Sequence, residues 1–160
     1  MPGPAVEVEG LAQFRRDLKD IDRNLPKELG QEFRKISELI VTAASQKATL
    51  LGGVAAKAAD AIKATSRSDS ATVRLKASDK PYVLGAEFGG QRRPTTQQFE
   101  PWRGSDENAG YFLYPAIRER EQEMLSMYAE AVGRVTALAF PERTARMNSM
   151  VDMLMSATSS

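Results

Sequence analysis

The sequence predicts an α+β fold. A small antiparallel β-sheet of three to four strands packs against long N-terminal and C-terminal helices, and a long loop precedes the C-terminal helix. Three observations predict it. Large apolar residues step by three and four through residues 11–25, 29–43 and 117–138, the period of helices with one buried face. Apolar and polar residues alternate at 5–9 and 71–77, the period of half-buried strands. Between the apolar runs 82–88 and 111–114 lies a stretch rich in Gly, Pro, Thr and Gln, which argues against a continuous element.

In chain order, Val6 and Val8 alternate with Glu7 and Glu9 as a first strand, which Gly10 breaks. Leu11, Phe14, Leu18, Ile21 and Leu25 form the apolar stripe of a first helix. Pro26 suits the first turn of a second helix, where a missing amide is harmless. That helix buries Leu29, Phe33, Ile36, Ile40 and Ala43, reaches about Leu50 and stops at Gly52-Gly53. Residues 54–64 are alanine-rich and predict a helix that depends on its neighbours. Residues 65–70 are polar and predict a loop. Residues 71–77 form a strand, Ser78-Asp79-Lys80-Pro81 a turn, and residues 82–88 the second strand of a hairpin. Residues 111–114 are expected as a further strand leading into a helix at Pro115, which places Ile117, Met124, Tyr128, Ala131, Val135 and Leu138 on one face and ends at Pro141. One domain is expected over 1–140. Residues 141–160 form a Met-rich extension with Met147, Met150, Val151 and Leu154 on one helical face, fraying from Ser156.

Composition narrows the chemistry. A chain of 160 residues buries about 70% of its unfolded surface without staples. It has no Cys and no His, which removes disulfides, thiolate nucleophiles, the commonest base near neutral pH and the commonest transition-metal ligand. Lys and Arg number 22 against 21 Asp and Glu, without the basic excess of a dedicated nucleic-acid binder. No apolar run approaches the ~20 residues of a membrane span, and residues 1–7 lack the regions of a signal peptide. A soluble intracellular protein with no cofactor and no metal is the expectation.

The motifs that carry chemistry are weak. Gly89-Gly90-Gln91-Arg92-Arg93 matches neither a phosphate-binding loop nor a dinucleotide fingerprint, and a flexible basic loop is the simpler reading. Glu87, Glu100 and Glu107 would need to converge to act as an acid–base set; Glu87 reads instead as a solvated or interface carboxylate. Asp106-Glu107-Asn108 lacks calcium-loop spacing. Phe99, Trp102, Tyr111, Phe112 and Tyr114 concentrate aromatic residues. Phe112 reads as core, whereas Trp102 and Tyr111, with arginines nearby, suit a protein–protein contact. The methionines at 147 and 150, with Leu154, suit an intersubunit helix.

Three segments in order resemble a known family. These are Val6-Glu7-Val8-Glu9-Gly10-Leu11, the Glu87-Phe88-Gly89 that closes residues 82–89, and Phe112-Leu113-Tyr114-Pro115-Ala116-Ile117. Together they are similar to the neck or tail-completion proteins of long non-contractile-tailed bacteriophages, over roughly residues 5–140. The chain departs from that family in the region 49–53, in an expanded 89–110 loop and in its Met-rich tail. The resemblance implies a non-enzymatic virion protein at the head–tail junction, in the host cytoplasm before assembly. It implies a ring, sixfold in symmetry, with the head-completion (stopper) protein, the tail terminator and further copies as partners, near genomic DNA in the neck channel and away from membranes. The interface is expected at Glu87, Arg92, Arg93, Phe99, Trp102, Arg103, Tyr111, Met147, Met150 and Leu154. Two rival expectations are a nucleic-acid-binding module using the Arg-containing loop 89–104 and a carboxylate-dependent hydrolase.

Overall fold

The computed structural model describes residues 10–67, 70–90, 99–104 and 106–157; the side chains of Leu11, Arg143, Thr144, Leu154, Met155 and Ala157 lie outside the description. The elements run α1 (Leu11–Ile21), α2 (Leu25–Leu51), α3 (Gly53–Ala58), a single 3₁₀ turn (Ala59–Ala61), β1 (Ile62–Arg67), β2 (Ser70–Leu75), α4 (Val83–Phe88), α5 (Leu113–Ala139) and α6 (Pro141–Ala157). The class is mixed helix and strand, as expected, but the described residues hold one two-stranded antiparallel sheet rather than three to four strands. The strand expected at 5–9 lies outside the described residues.

Two 27-residue helices, α2 and α5, form the spine. At ~1.5 Å per residue each is about 40 Å long. They run antiparallel: Arg134 of α5 meets Glu32 near the start of α2, and Glu119 near the start of α5 meets Lys47 near the end of α2. Phe33 and Tyr128 stack between them with ring centroids 5.9 Å apart. The predicted stripe of α2 is buried in full: Leu29, Phe33, Ile36, Ile40 and Ala43. On α5, Ala131 and Val135 are buried, but Leu138 is exposed, as is Ile21 of α1. Each lies near the end of its helix, where fewer neighbours remain to cover an apolar side chain.

Buried residues fall into two clusters along this spine. One joins Leu18 of α1 to Leu25, Leu29, Phe33 and Ile36 of α2 and to Ala131 and Val135 of α5. The other joins the C-terminal half of α2 to Ala58, Ala61, Ile62, Val83, Phe112 and Ala116. Alanines dominate the second, so backbones approach closely there. This accounts for a helix end poor in large side chains that is nonetheless well buried.

Three local expectations are corrected. The alanine-rich helix ends at Ala61, and the expected loop 65–70 is largely strand. In β1, Ile62, Ala64 and Ser66 face inward and Lys63, Thr65 and Arg67 outward. The inward residues after Ile62 are small, so the alternation carries little hydropathy signal. β1 pairs with β2 from Ile62 opposite Leu75 to Arg67 opposite Ser70. The buried Ser37 hydroxyl lies 3.2 Å from the Phe33 carbonyl and 3.3 Å from that of Thr65, joining α2 to the hairpin.

Residues 83–88 are helix, not strand. A short apolar run does not distinguish the two by periodicity, and here Val83, Ala86 and Glu87 are the buried positions, three and four residues apart. Residues 111–114 are not a strand either. They form the entrance to α5, which begins at Leu113.

Candidate functional site

The chain's one fully buried carboxylate among the described residues is Glu87, at the end of α4. It is the side chain around which the described residues of the 89–112 region are arranged. One carboxylate oxygen, Oε2, accepts the backbone N–H groups of Phe112 and Leu113 at 3.0 and 2.9 Å; Oε1 accepts that of Tyr114 at 2.9 Å. The opening turn of any helix has N–H groups without intrahelical partners. In α5 no local side chain caps them. A carboxylate from a helix 25 residues earlier does so, and its charge complements the positive end of the helix dipole.

The expectation of a solvated or interface carboxylate at Glu87 is therefore overturned. Burial pushes the Glu87 carboxyl above the usual carboxylate range, opposed by the N–H groups of Tyr114, Leu113 and Phe112. Its charge and the burial of Tyr114 also raise the Tyr114 hydroxyl, with burial the larger cause. Gly110 makes the approach feasible. Its φ is +79°, and a Cβ there would run into the Glu87 carboxylate.

The described parts of the loop fold onto this capped junction as a clasp. Gly89, at φ +77°, ends α4 where a Cβ would collide with the Glu100 and Pro101 carbonyls. The Gly90 N–H donates to the Glu100 carbonyl at 2.9 Å, and the Arg103 N–H to the Phe88 carbonyl at 2.6 Å. The Gly110 N–H then donates to the Arg103 carbonyl at 2.7 Å. Arg118 of α5 reaches back to the Ala109 carbonyl at 2.9 Å. The two ends of the loop are thereby tied to each other and to both helices.

Each predicted site residue has a definite place. Phe99 lies over Gly85 of α4, where its ring leaves no room for a Cβ. Tyr111 donates its hydroxyl to the Pro101 carbonyl at 2.8 Å, and the Arg103 guanidinium sits 4.8 Å from the Tyr111 ring centre. Trp102 tilts against Phe88 at 6.3 Å yet remains 57% exposed. Phe88 also meets Tyr114 edge-on at 5.2 Å. Phe112 is fully buried, as the sequence suggested. Arg92 and Arg93 lie outside the described residues. The clasp thus brings Trp102, Arg103 and Tyr111 together, with Glu87 beneath them as an anchor rather than a contact. Arg118 and Phe88 were missed. Phe88 stood out only as part of the Glu87-Phe88-Gly89 segment and Arg118 not at all, because their partners are contributed by other segments of the chain.

The second group stands on α6. Met147 and Met150 are 67% and 64% exposed, and Val151 and Met153 are exposed beside them. Every described side chain of this helix is exposed. α6 therefore presents an apolar surface with no cover from the other described residues.

Among the described residues no group of three or more acidic side chains is placed to hold a metal ion, and no helix is long and apolar enough to cross a membrane. Glu100 and Glu107 are exposed, whereas Glu87 is buried with both oxygens turned to backbone amides. These carboxylates do not present a shared acid–base surface. No protein-family model, no curated protein and no solved structure matches the chain.

Proposed function

We propose that the chain is a structural subunit of a bacteriophage head–tail junction, assembling with copies of itself into a ring that helps complete the tail at the head connector. The observation that carries an assembly role is α6, a 17-residue helix whose described side chains are all exposed and which displays Met147, Met150, Val151 and Met153. A fold that leaves such a helix uncovered is completed by a partner. The particular assembly comes from the ordered motifs. It is supported by the way two of them form one unit, with Glu87 of the Glu-Phe-Gly segment capping the helix that Leu113-Tyr114-Pro115-Ala116 opens.

The clasp supplies the second surface. An exposed Trp beside an Arg–Tyr pair has the composition of an interface centre. A head-to-tail ring needs two different surfaces on each subunit, and the clasp and α6 are two such surfaces.

Mass spectrometry and imaging of virions from a phage encoding this chain test the reading. The expected result is a fixed copy number located at the neck. Absence from purified virions would remove it.

A further inference from the structure

The whole-chain charge of +1 conceals a sorted arrangement on α1. At about 100° per residue, Phe14, Leu18 and Ile21 point one way, and Leu18 is buried. Asp17 and Asp20 lie on one flank, and Arg15, Arg16 and Lys19 on the other. Arg23, just past the helix end, continues the cationic flank. These four cations and Pro26 line a groove of about 320 Å³ at the α1–α2 turn. Among the described residues no acidic side chain lines it.

The nearby carboxylates are occupied in part. Asp17 accepts from the Gln13 side chain at 2.7 Å, and Asp22 from the Asn24 backbone at 2.8 Å. Arg16, Lys19 and Arg23 are exposed and make no ion pair with the described residues. Three cations held along one side of a groove, without acidic partners among the described residues, are a binding surface for an anion.

We infer that this groove binds the phosphodiester backbone of a nucleic acid. Arg16 to Arg23 covers about 10 Å at ~1.5 Å per residue, the run of about three phosphates of one strand at ~3.4 Å each. The guanidinium forks of Arg16 and Arg23 match phosphate oxygens in pairs, and Lys19 adds a point charge between them. A membrane surface fits less well, because the apolar side of α1 that would enter it is packed on α2. The site offers no group placed to read base edges, so binding is independent of sequence. This inference stands on α1 and the α1–α2 turn and is independent of the head–tail reading.

The test is fluorescence anisotropy of a short labelled DNA duplex with the full chain. Binding is expected at about 50 mM salt and weakens about 40-fold by about 200 mM, the release expected for three phosphate contacts. The variant Arg16→Gln/Lys19→Gln/Arg23→Gln abolishes it. Arg34→Gln/Lys76→Gln/Arg120→Gln, which removes the same charge from exposed positions elsewhere, leaves it unchanged. The inference is overturned by no binding up to about 100 μM protein at low salt, or by equal losses in the two variants. It is also overturned if poly-glutamate of matched charge displaces the duplex as well as unlabelled DNA does, which would make the groove a site for an acidic protein.

Discussion

Glu87 ties α4 to the opening turn of α5 through three backbone N–H groups. Replacing it with Ala strands the N–H groups of Phe112 and Leu113 in the core and frees that of Tyr114. At about 1–3 kcal/mol for each buried donor left unpaired, Glu87→Ala should cost about 3 kcal/mol or more. For a chain of this size the melting temperature should fall by about 6–12 °C, which calorimetry would read. The pH dependence has a definite sign. The folded pKa of Glu87 is raised above 4.5, so the folded state holds this proton more tightly than the unfolded state. Its contribution is fully present below about pH 4.5 and is lost as pH rises through the raised value. Glu32 has the opposite sign. Its hydrogen bond from Lys35, with Arg134 adding to it, lowers its pKa below 4.5. That contribution is present above about 4.5 and is lost as pH falls through the lowered value. Between about pH 4 and 7 the urea midpoint of wild type should therefore fall relative to that of Glu87→Gln as pH rises. A wild-type midpoint that rises relative to the variant instead would mean that the amide donors outweigh burial. Trp102→Ala should act differently from either. With Trp102 more than half exposed, the subunit should stay folded, and under the proposed neck role head–tail joining should fail in a complementation assay. Loss of the fold would make Trp102 a core residue and move the interface elsewhere.

At the scale of elements, α6 makes the sharpest prediction. Because its described side chains are all exposed, a chain ending at Phe140 should melt within about 2 °C of the full chain, the shift of less than about 1 kcal/mol. Light scattering should find the full chain self-associated and the shortened chain monomeric. A large loss of stability would mean that α6 packs on its own subunit. The elements also separate what the sequence made legible from what it did not. Both long helices were readable, because Leu29, Phe33, Ile36 and Ile40 repeat a wide apolar stripe and Pro26, Gly52 and Pro141 mark ends. β1 was not, because Ala64 and Ser66 face inward without hydropathy contrast to Thr65. α4 was not, because six residues are too few for a period to emerge. The clasp was readable as a concentration of aromatic residues at 99–114. Its organising bond was hidden, since nothing near Glu87 in the sequence announces that its partners are the amides of residues 112–114. A carboxylate in a glycine-flanked segment looks like surface until tertiary structure supplies its donors.

For the molecule as a whole, the question is whether two buried clusters make one cooperative unit. One cluster contains Leu18, Leu29, Phe33 and Val135, and the other Ile40, Ala48, Val83 and Phe112. Both clusters draw on α2 and α5, Leu29, Phe33 and Val135 in one and Ile40, Ala48 and Ala116 in the other, and Met124 packs against both. Unfolding either cluster alone would require α2 and α5 to fray along half their length while staying docked along the rest. Their cross-helix ion pairs, Glu32–Arg134 and Lys47–Glu119, are partly exposed and contribute little. Coupling must therefore come from helix continuity and packing. The chain has one Trp, and Trp102 sits in the clasp beside the second cluster, whereas Phe33 belongs to the first. Phe33→Ala should cost about 3–5 kcal/mol through the cavity it leaves. If the spine couples the clusters, the midpoint followed by Trp102 fluorescence and that followed by far-ultraviolet circular dichroism should fall together, by about 6–20 °C. A Trp102 transition that stays in place while the helical signal shifts would show two independently melting halves, and the clasp would then keep its geometry even when the α1 end has opened.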